Sequence, residues 1–217
     1  MSESNTLVAP EQLAARGRID KRAAILDAAY RVFAREGYER ASIDEIAAGA
    51  GVAKPTIYNH FGGKEELFRQ VIVDSAVYTN ANTLNAIESI SMHPSDLPTE
   101  LMHVGEKLVG CLQDGRALTL QRLLWSEIYH FPDLWELVQE SAGRPIVEAL
   151  AGRLAILANA GYLEISDPMK AAAQFILLVA EDLKLKSAFG TKPIPEEVWH
   201  ASIAAGVDTF LRAFAKR

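Results

Sequence analysis

Residues 42–64 read SIDEIAAGAGVAKPTIYNHFGGK, and the spacing of small and apolar residues in this stretch admits few folds. Ala47 is followed by Gly51 four residues on and by Ile57 a further six on. Two short helices that cross closely need a small residue on the first, which Ala47 supplies. Gly51 suits a turn with positive φ, and Ile57 anchors the second helix inward. That is the pattern of a helix-turn-helix, placed at about 42–61. Ser42 and Glu45 stand as a capping box, the hydroxyl and the carboxylate each meeting an orphan backbone donor at the start of the first of these helices. Pro55 falls in the first turn of the second, where no intrahelical N–H is lost.

In that second helix Ile57 and Phe61 are one turn apart and face inward. This turns Lys54, Pro55, Tyr58 and Asn59 outward and leaves Thr56 and His60 on the flanks. The outward set has the chemistry of a major-groove reader. An amide can read adenine and a Thr methyl can touch a thymine methyl, while Tyr, His and Lys hold phosphates. Asn59 and Thr56 are therefore assigned to base edges, and Tyr58, His60 and Lys54 to the DNA backbone, with Pro55 and Ser42 completing the face. Lys64 opens the next helix, where a cation opposes the helix dipole unless an anion is also present. A DNA phosphate would be that anion, seated on the free N–H groups with Gly63 allowing close approach. The competing reading is that Glu65 and Glu66 offset Lys64 and nothing binds.

The formal charge of −6 looks unfavourable for a DNA binder until it is divided. Residues 16–69 hold ten Lys/Arg against eight Asp/Glu, net +2, and the remainder is net −8. A weakly basic module on an acidic body suits one face that meets phosphates. Cys111 is the only cysteine, so an intrachain disulfide is impossible and the thiol is read as buried and inert. No apolar run approaches the ~18 residues of a membrane span and no signal-like core opens the chain, so a soluble cytoplasmic protein without membrane contact is expected.

Helical periodicity runs throughout and strand-like alternation is absent, which predicts an all-α protein of about nine helices. Residues 1–17 are expected to be a mobile arm. A first helix over 20–36 carries Ile25, Ala29, Val32 and Phe33 inward and stops at Gly37. After the helix-turn-helix, a long helix over 64–90 turns Leu67, Val71, Ile72, Ala76 and Val77 inward. Further helices are expected at 99–112, 117–129, 133–160 with an interruption near Pro145, 168–188 and 196–215. The domains are then 18–77 for DNA binding and 78–217 for a helical ligand-binding and dimerisation body.

Residues 18 to about 77 resemble the N-terminal domain of the TetR/AcrR family of transcriptional regulators. The resemblance is carried by Ala28-Ala29, Phe33, Gly37-Tyr38, Ser42-Ile43-Asp44-Glu45-Ile46-Ala47, Ala50-Gly51-Val52, Thr56-Ile57-Tyr58, His60-Phe61 and Lys64-Glu65-Glu66-Leu67. Two positions depart from the family pattern. Ala53 stands where Ser is frequent and cannot cap, which costs ~1 kcal/mol at a helix end; Pro55 stands where a small residue is frequent and offsets this in part by fixing φ. The resemblance implies a ligand-responsive repressor without a cofactor, bound to a palindromic operator in double-stranded DNA as a homodimer and released by a small-molecule effector through movement of the long helix.

One helix-turn-helix makes few base contacts, so such readers pair across a two-fold axis. The segment MKAAAQFILLVAEDLKLK is apolar around more than one face, and the last helix carries an apolar stripe. Phe175, Leu178, Trp199, Ile203, Phe210 and Phe214 are the dimerisation candidates, against the alternative of a wholly intramolecular helix pair. The resemblance favours the dimer. In the middle helices, bulky apolar groups with a few polar ends suit either core packing or a cavity for an apolar or aromatic molecule. The candidate lining is Met102, His103, Leu124, Trp125, Glu127, Tyr129, Phe131 and Phe175.

Two rival classes stand against this reading. A helical small-molecule-binding enzyme is disfavoured because the five histidines lack paired metal-ligand spacing, and neither a phosphate loop nor a nucleophile motif occurs. A helix-turn-helix used only for protein interaction would present a more apolar outward face than this one does.

Overall fold

The computed structural model describes residues 10–188 and 192–216, and their side chains except at 10–19 and 111–113. The chain divides into two compact units, Met1–Asp74 and Ser75–Arg217, called here unit one and unit two. The described residues are helical apart from turns and one isolated antiparallel bridge between Leu163 and Ala215. No helix among them is long and apolar enough to cross a membrane.

Unit one holds α1 (Pro10–Arg40), α2 (Ile43–Ala50), α3 (Lys54–Phe61) and the first part of α4 (Lys64–Glu88). The first helix starts at Pro10, ten residues before the expected position, so only residues 1–9 of the expected arm lie outside the described residues. Gly37 breaks α1 with φ 75° and ψ 177°, a conformation that glycine alone enters cheaply, and so the regular helix does stop where periodicity placed its end. Ile25, Ala29, Val32 and Phe33 are all buried, together with Ile46, Ala47, Ile57, Phe61, Leu67, Phe68 and Ile72. Gly51 closes α2 in the left-handed region, at φ 65° and ψ 33°, with its N–H on the Ala47 and Ala48 carbonyls.

Unit two contains the rest of α4, then α5 (Leu97–Gln113), α6 (Gly115–Glu127), α7 (Leu134–Val138), a π-helical turn (Gln139–Gly143), α8 (Arg144–Asn159), α9 (Pro168–Lys186) and α10 (Glu196–Phe214). Val77, expected inside, is 48% exposed. The starts of α5, α6 and α9 are set by Asp96, Asp114 and Asp167, whose carboxylates accept from first-turn N–H groups. These caps place α5 and α6 two residues earlier than apolar periodicity did. The expected interruption near Pro145 is a π turn immediately before it, and the backbone stays helical from Leu134 to Asn159. A proline ring collides with the carbonyl four residues back, here Ser141, and the wider π turn relieves that clash. Among the described residues, counting this stretch as one helix yields nine, and counting its two α-helical parts yields ten.

The core of unit two lies among α5, α8, α9 and α10, with Leu101, Leu154, Phe175, Ile203 and Phe210 almost wholly buried. Phe175 and Phe210 meet edge to face at 5.2 Å. The Cys111 side chain lies outside the described residues.

Candidate nucleic-acid interface

The α3 faces follow from its two buried anchors. Ile57 and Phe61 are buried, Lys54, Pro55, Tyr58 and Asn59 are exposed, and Thr56 and His60 are half-buried. The 360° distribution of eight residues around two turns leaves little freedom once the anchors are set. Ala53 makes no side-chain cap, and the α3 start is held by the Thr56 N–H on the Ala53 carbonyl at 2.8 Å, with Pro55 in the first turn. The C-terminal end is closed by Gly62, at φ 76° and ψ −27°, whose N–H reaches the Tyr58 carbonyl.

One expectation needs correction at this face, and two of the expected phosphate contacts are engaged within unit one. Ser42 caps α2, but its hydroxyl accepts from the Asp44 N–H at 3.2 Å, and Glu45, instead of completing a capping box, pairs with Arg35 from α1. A guanidinium offers a carboxylate more than one neutral amide does, and α1 brings it within reach. Lys54 is ion-paired with Asp44 at 3.0 Å, and the hydrogen bond to that carboxylate holds the ammonium above its ordinary pKa. Lys54 therefore braces α3 to α2 and would have to leave Asp44 to meet a phosphate.

Lys64 is not offset by Glu65 and Glu66, and its partners within unit one are others. Its ammonium donates to the Glu39 carbonyl at 2.9 Å and lies 4.7 Å from the centre of the Tyr38 ring. Glu65 and Glu66 are turned to Arg69 and Gln70, at 2.6 and 3.0 Å. The cation is thus held by a carbonyl dipole and an aromatic face, both supplied by the short segment after Gly37. Lys64→Met is accordingly expected to lower the stability of unit one by about 1 kcal/mol, while the dependence of DNA affinity on salt stays as in the parent. A fall in that slope of about one would return Lys64 to the phosphate contacts.

Periodicity also missed Arg22, which lies 5.6 Å from the Phe61 ring centre and donates to Gln70 at 2.8 Å. Arg22 ties the end of α3 to α1 and α4. Nothing in the spacing of residues 22, 61 and 70 announces that contact, because it depends on the crossing of three helices.

In unit two the expected effector and dimer sets are largely dispersed. A cavity of about 530 Å³ opens among α4, α6, α7 and α9, and of the eight expected residues only Leu124 and Trp125 line it. Phe175 and Phe131 are buried in the protein interior, and Tyr129 is 93% exposed. His103 is exposed near Glu106 at 3.9 Å, Met102 is half-buried against the core, and Glu127 is buried 3.4 Å from His130. Among the dimer candidates, Phe175, Ile203 and Phe210 have no exposed surface, because the α9–α10 contact within one chain consumes them. Trp199 and Phe214 are half-buried against that core, and Trp199 stacks on His200 at 3.8 Å. Leu178 alone of the six is exposed, beside a groove of about 560 Å³ shared with Val198, Ala201 and Ala205.

Two family models cover the chain. Residues 25–71 match "Bacterial regulatory proteins, tetR family", and residues 99–216 match "AefR-like transcriptional repressor, C-terminal domain". The HTH-type transcriptional activator FasR of Mycolicibacterium smegmatis is 47% identical over 55 residues, a quarter of each chain. Curated relatives are matched over 25 to 66% of their own lengths. Among solved structures, a TetR-family regulator from Mesorhizobium loti superposes with a TM-score of 0.84 at 25% identity, over 92% of this chain and 98% of that one. The flavonoid-responsive regulator FrrA superposes at 0.73 with 30% identity, over 91% and 98%. With both units matched and a helix-turn-helix whose anchors and turn glycine occupy the required geometry, the chain belongs to the TetR family of helix-turn-helix transcriptional regulators.

Proposed function

We propose that this protein is a cytoplasmic repressor that binds a two-fold-symmetric DNA operator as a homodimer and is released by a small apolar or aromatic effector, acting by binding and not by catalysis. The observation that carries the reading is α3, whose buried Ile57 and Phe61 leave Tyr58 and Asn59 exposed on a face of groove-reading chemistry. In this reading Asn59 and Thr56 meet base edges, Tyr58 and His60 meet phosphates, and the α4 N-terminus seats a further phosphate through its backbone. The exposed groove of Leu178, Val198, Ala201 and Ala205 supports pairing through the outer face of α9 and α10. The cavity in unit two, and the FrrA relative named as flavonoid-responsive, support an effector. Helix α4 belongs to both units, so an effector that favours one arrangement of unit two lowers DNA affinity by its preference for that arrangement.

Selection of bound sequences from a random DNA pool tests the reading. A two-fold-symmetric site is expected, and a pool that enriches no sequence overturns it. In the same assay Asn59→Ala should relax preference at one or two base pairs per half-site. Tyr58→Phe should weaken all sequences alike, by about tenfold for one hydrogen bond to a charged group. Uniform weakening by Asn59→Ala would remove that residue from the base contacts.

A further inference from the structure

The unit-two cavity has walls that specify more than its volume. Trp125 and Trp135 form one wall, stacked with ring centres 6.2 Å apart and planes at 28°. They are 48% and 45% exposed, which leaves two indoles without full apolar cover, and Leu120, Leu124 and Val138 extend the apolar surface. The charges at the rim, Glu181 and Lys184, pair with each other at 2.9 Å and so offer no unbalanced ion to a ligand. Thr79, whose hydroxyl donates to the Ala76 carbonyl at 3.0 Å, and Gln121 also line the cavity, and a further polar feature is a link between helices. The Asn80 side-chain N–H of α4 donates to the Ala142 carbonyl at 3.2 Å, and Ala142 belongs to the π turn. Both residues line the cavity.

We propose that this cavity takes a neutral, flat aromatic molecule of two or three rings bearing a hydroxyl, and that the hydroxyl inserts between Asn80 and the Ala142 carbonyl. The inference rests on the reading above that an effector acts through unit two. Flat rings suit the indole wall, since offset stacking on Trp is worth more than the contact area alone. A hydroxyl donates and accepts, so it satisfies the carbonyl and the amide at once. Its insertion unties α4 from the π turn, and α4 is the helix that continues to Lys64. Asn80 is thus a positioning residue that senses the ligand for α4. Because Asn80 and Ala142 satisfy each other, a ligand without the hydroxyl that leaves this link in place leaves neither group unpaired and is rejected only modestly.

The test uses the full chain with 4-hydroxybiphenyl, biphenyl and biphenyl-4-carboxylate as probes, read by quenching of tryptophan fluorescence and by shift of the thermal midpoint. The hydroxyl compound is expected to bind about tenfold more tightly than biphenyl, and the carboxylate no better than biphenyl. In Asn80→Ala the Ala142 carbonyl stays open to the phenol and the hydroxyl advantage should persist, whereas Asn80→Leu fills the gap between α4 and the π turn with an apolar side chain and should make the two neutral probes bind equally. Trp125→Ala should weaken all three. A preference for the carboxylate, or a hydroxyl advantage that survives Asn80→Leu, overturns the proposal. The DNA selection described above is run on the same preparations without probe. A selected operator with no hydroxyl advantage removes this inference alone, whereas the expected probe ranking without any selected operator removes the regulator reading alone.

Discussion

Phe33→Ala is expected to unfold unit one at temperatures where unit two remains folded. Phe33 is completely buried, meets Phe68 edge to face at 5.0 Å and stacks near Tyr38 at 6.2 Å. Tyr38 in turn lies 5.0 Å from Phe68 and beneath the Lys64 ammonium, so one ring supports the whole cluster that seats the start of α4. Truncation of a buried Phe costs about 3–5 kcal/mol, against a total of about 5–15 kcal/mol for a domain. Circular dichroism should show a helical transition lowered by more than about 10 °C. All three tryptophans, Trp125, Trp135 and Trp199, lie in unit two, so indole fluorescence should follow the parent transition. DNA binding should be lost at the temperature where the helical signal falls. A variant that melts within a few degrees of the parent would mean that the ring cluster carries little of the stability of unit one.

The second large effect is expected at Gly206, on α10. A Cβ at this position would lie 2.6 Å from the Leu178 carbonyl oxygen and 2.8 Å from its carbon. Those are backbone atoms and cannot rotate aside, so any side chain must push α9 and α10 apart at the point where Phe175 and Phe210 meet. Overpacking of this kind costs about 1–3 kcal/mol, and more for a branched residue. Alanine recovers about 1 kcal/mol through helix propensity, so Gly206→Ala should lose up to about 2 kcal/mol and Gly206→Val about 3 kcal/mol or more. Urea unfolding followed by indole fluorescence measures both. The same displacement moves Leu178 in the outer groove, and sedimentation should show weaker self-association for Gly206→Val. Parent-like stability of Gly206→Val would show that the two helices do not approach as closely as this geometry requires.

The difference between the two units lies in how local their determinants are. In unit one the turn glycine, the Ser42 cap, the inward pairs and the outward α3 face all follow from residues within a few positions of each other. Three of the four helix starts there were legible for that reason. The contacts of the lysines were not, because Lys54 with Asp44 and Lys64 with the Glu39 carbonyl join residues 10 and 25 apart whose meeting depends on how helices cross. In unit two, apolar periodicity marked which helices exist, but Phe175, Ile203 and Phe210 could equally have faced a partner, a ligand or their own core. Burial resolved them as core; the groove is lined by Leu178 and Val198 with small residues such as Ala201 and Ala205, and the cavity by Trp125 and Trp135 together with pairs such as Asn80 and Ala142 that no spacing rule connects.

By itself, then, the amino-acid sequence determined the helical class, the reading helix with its two faces, and the family, because each depends on contacts along one or two turns of backbone. Tertiary structure alone decided which apolar stripe is interior, which cations are already engaged, and where unit two is hollow. Those outcomes come from the packing of several helices against one another, and a hydrophobic side chain is chemically the same whether it ends in a core, a pocket or an interface.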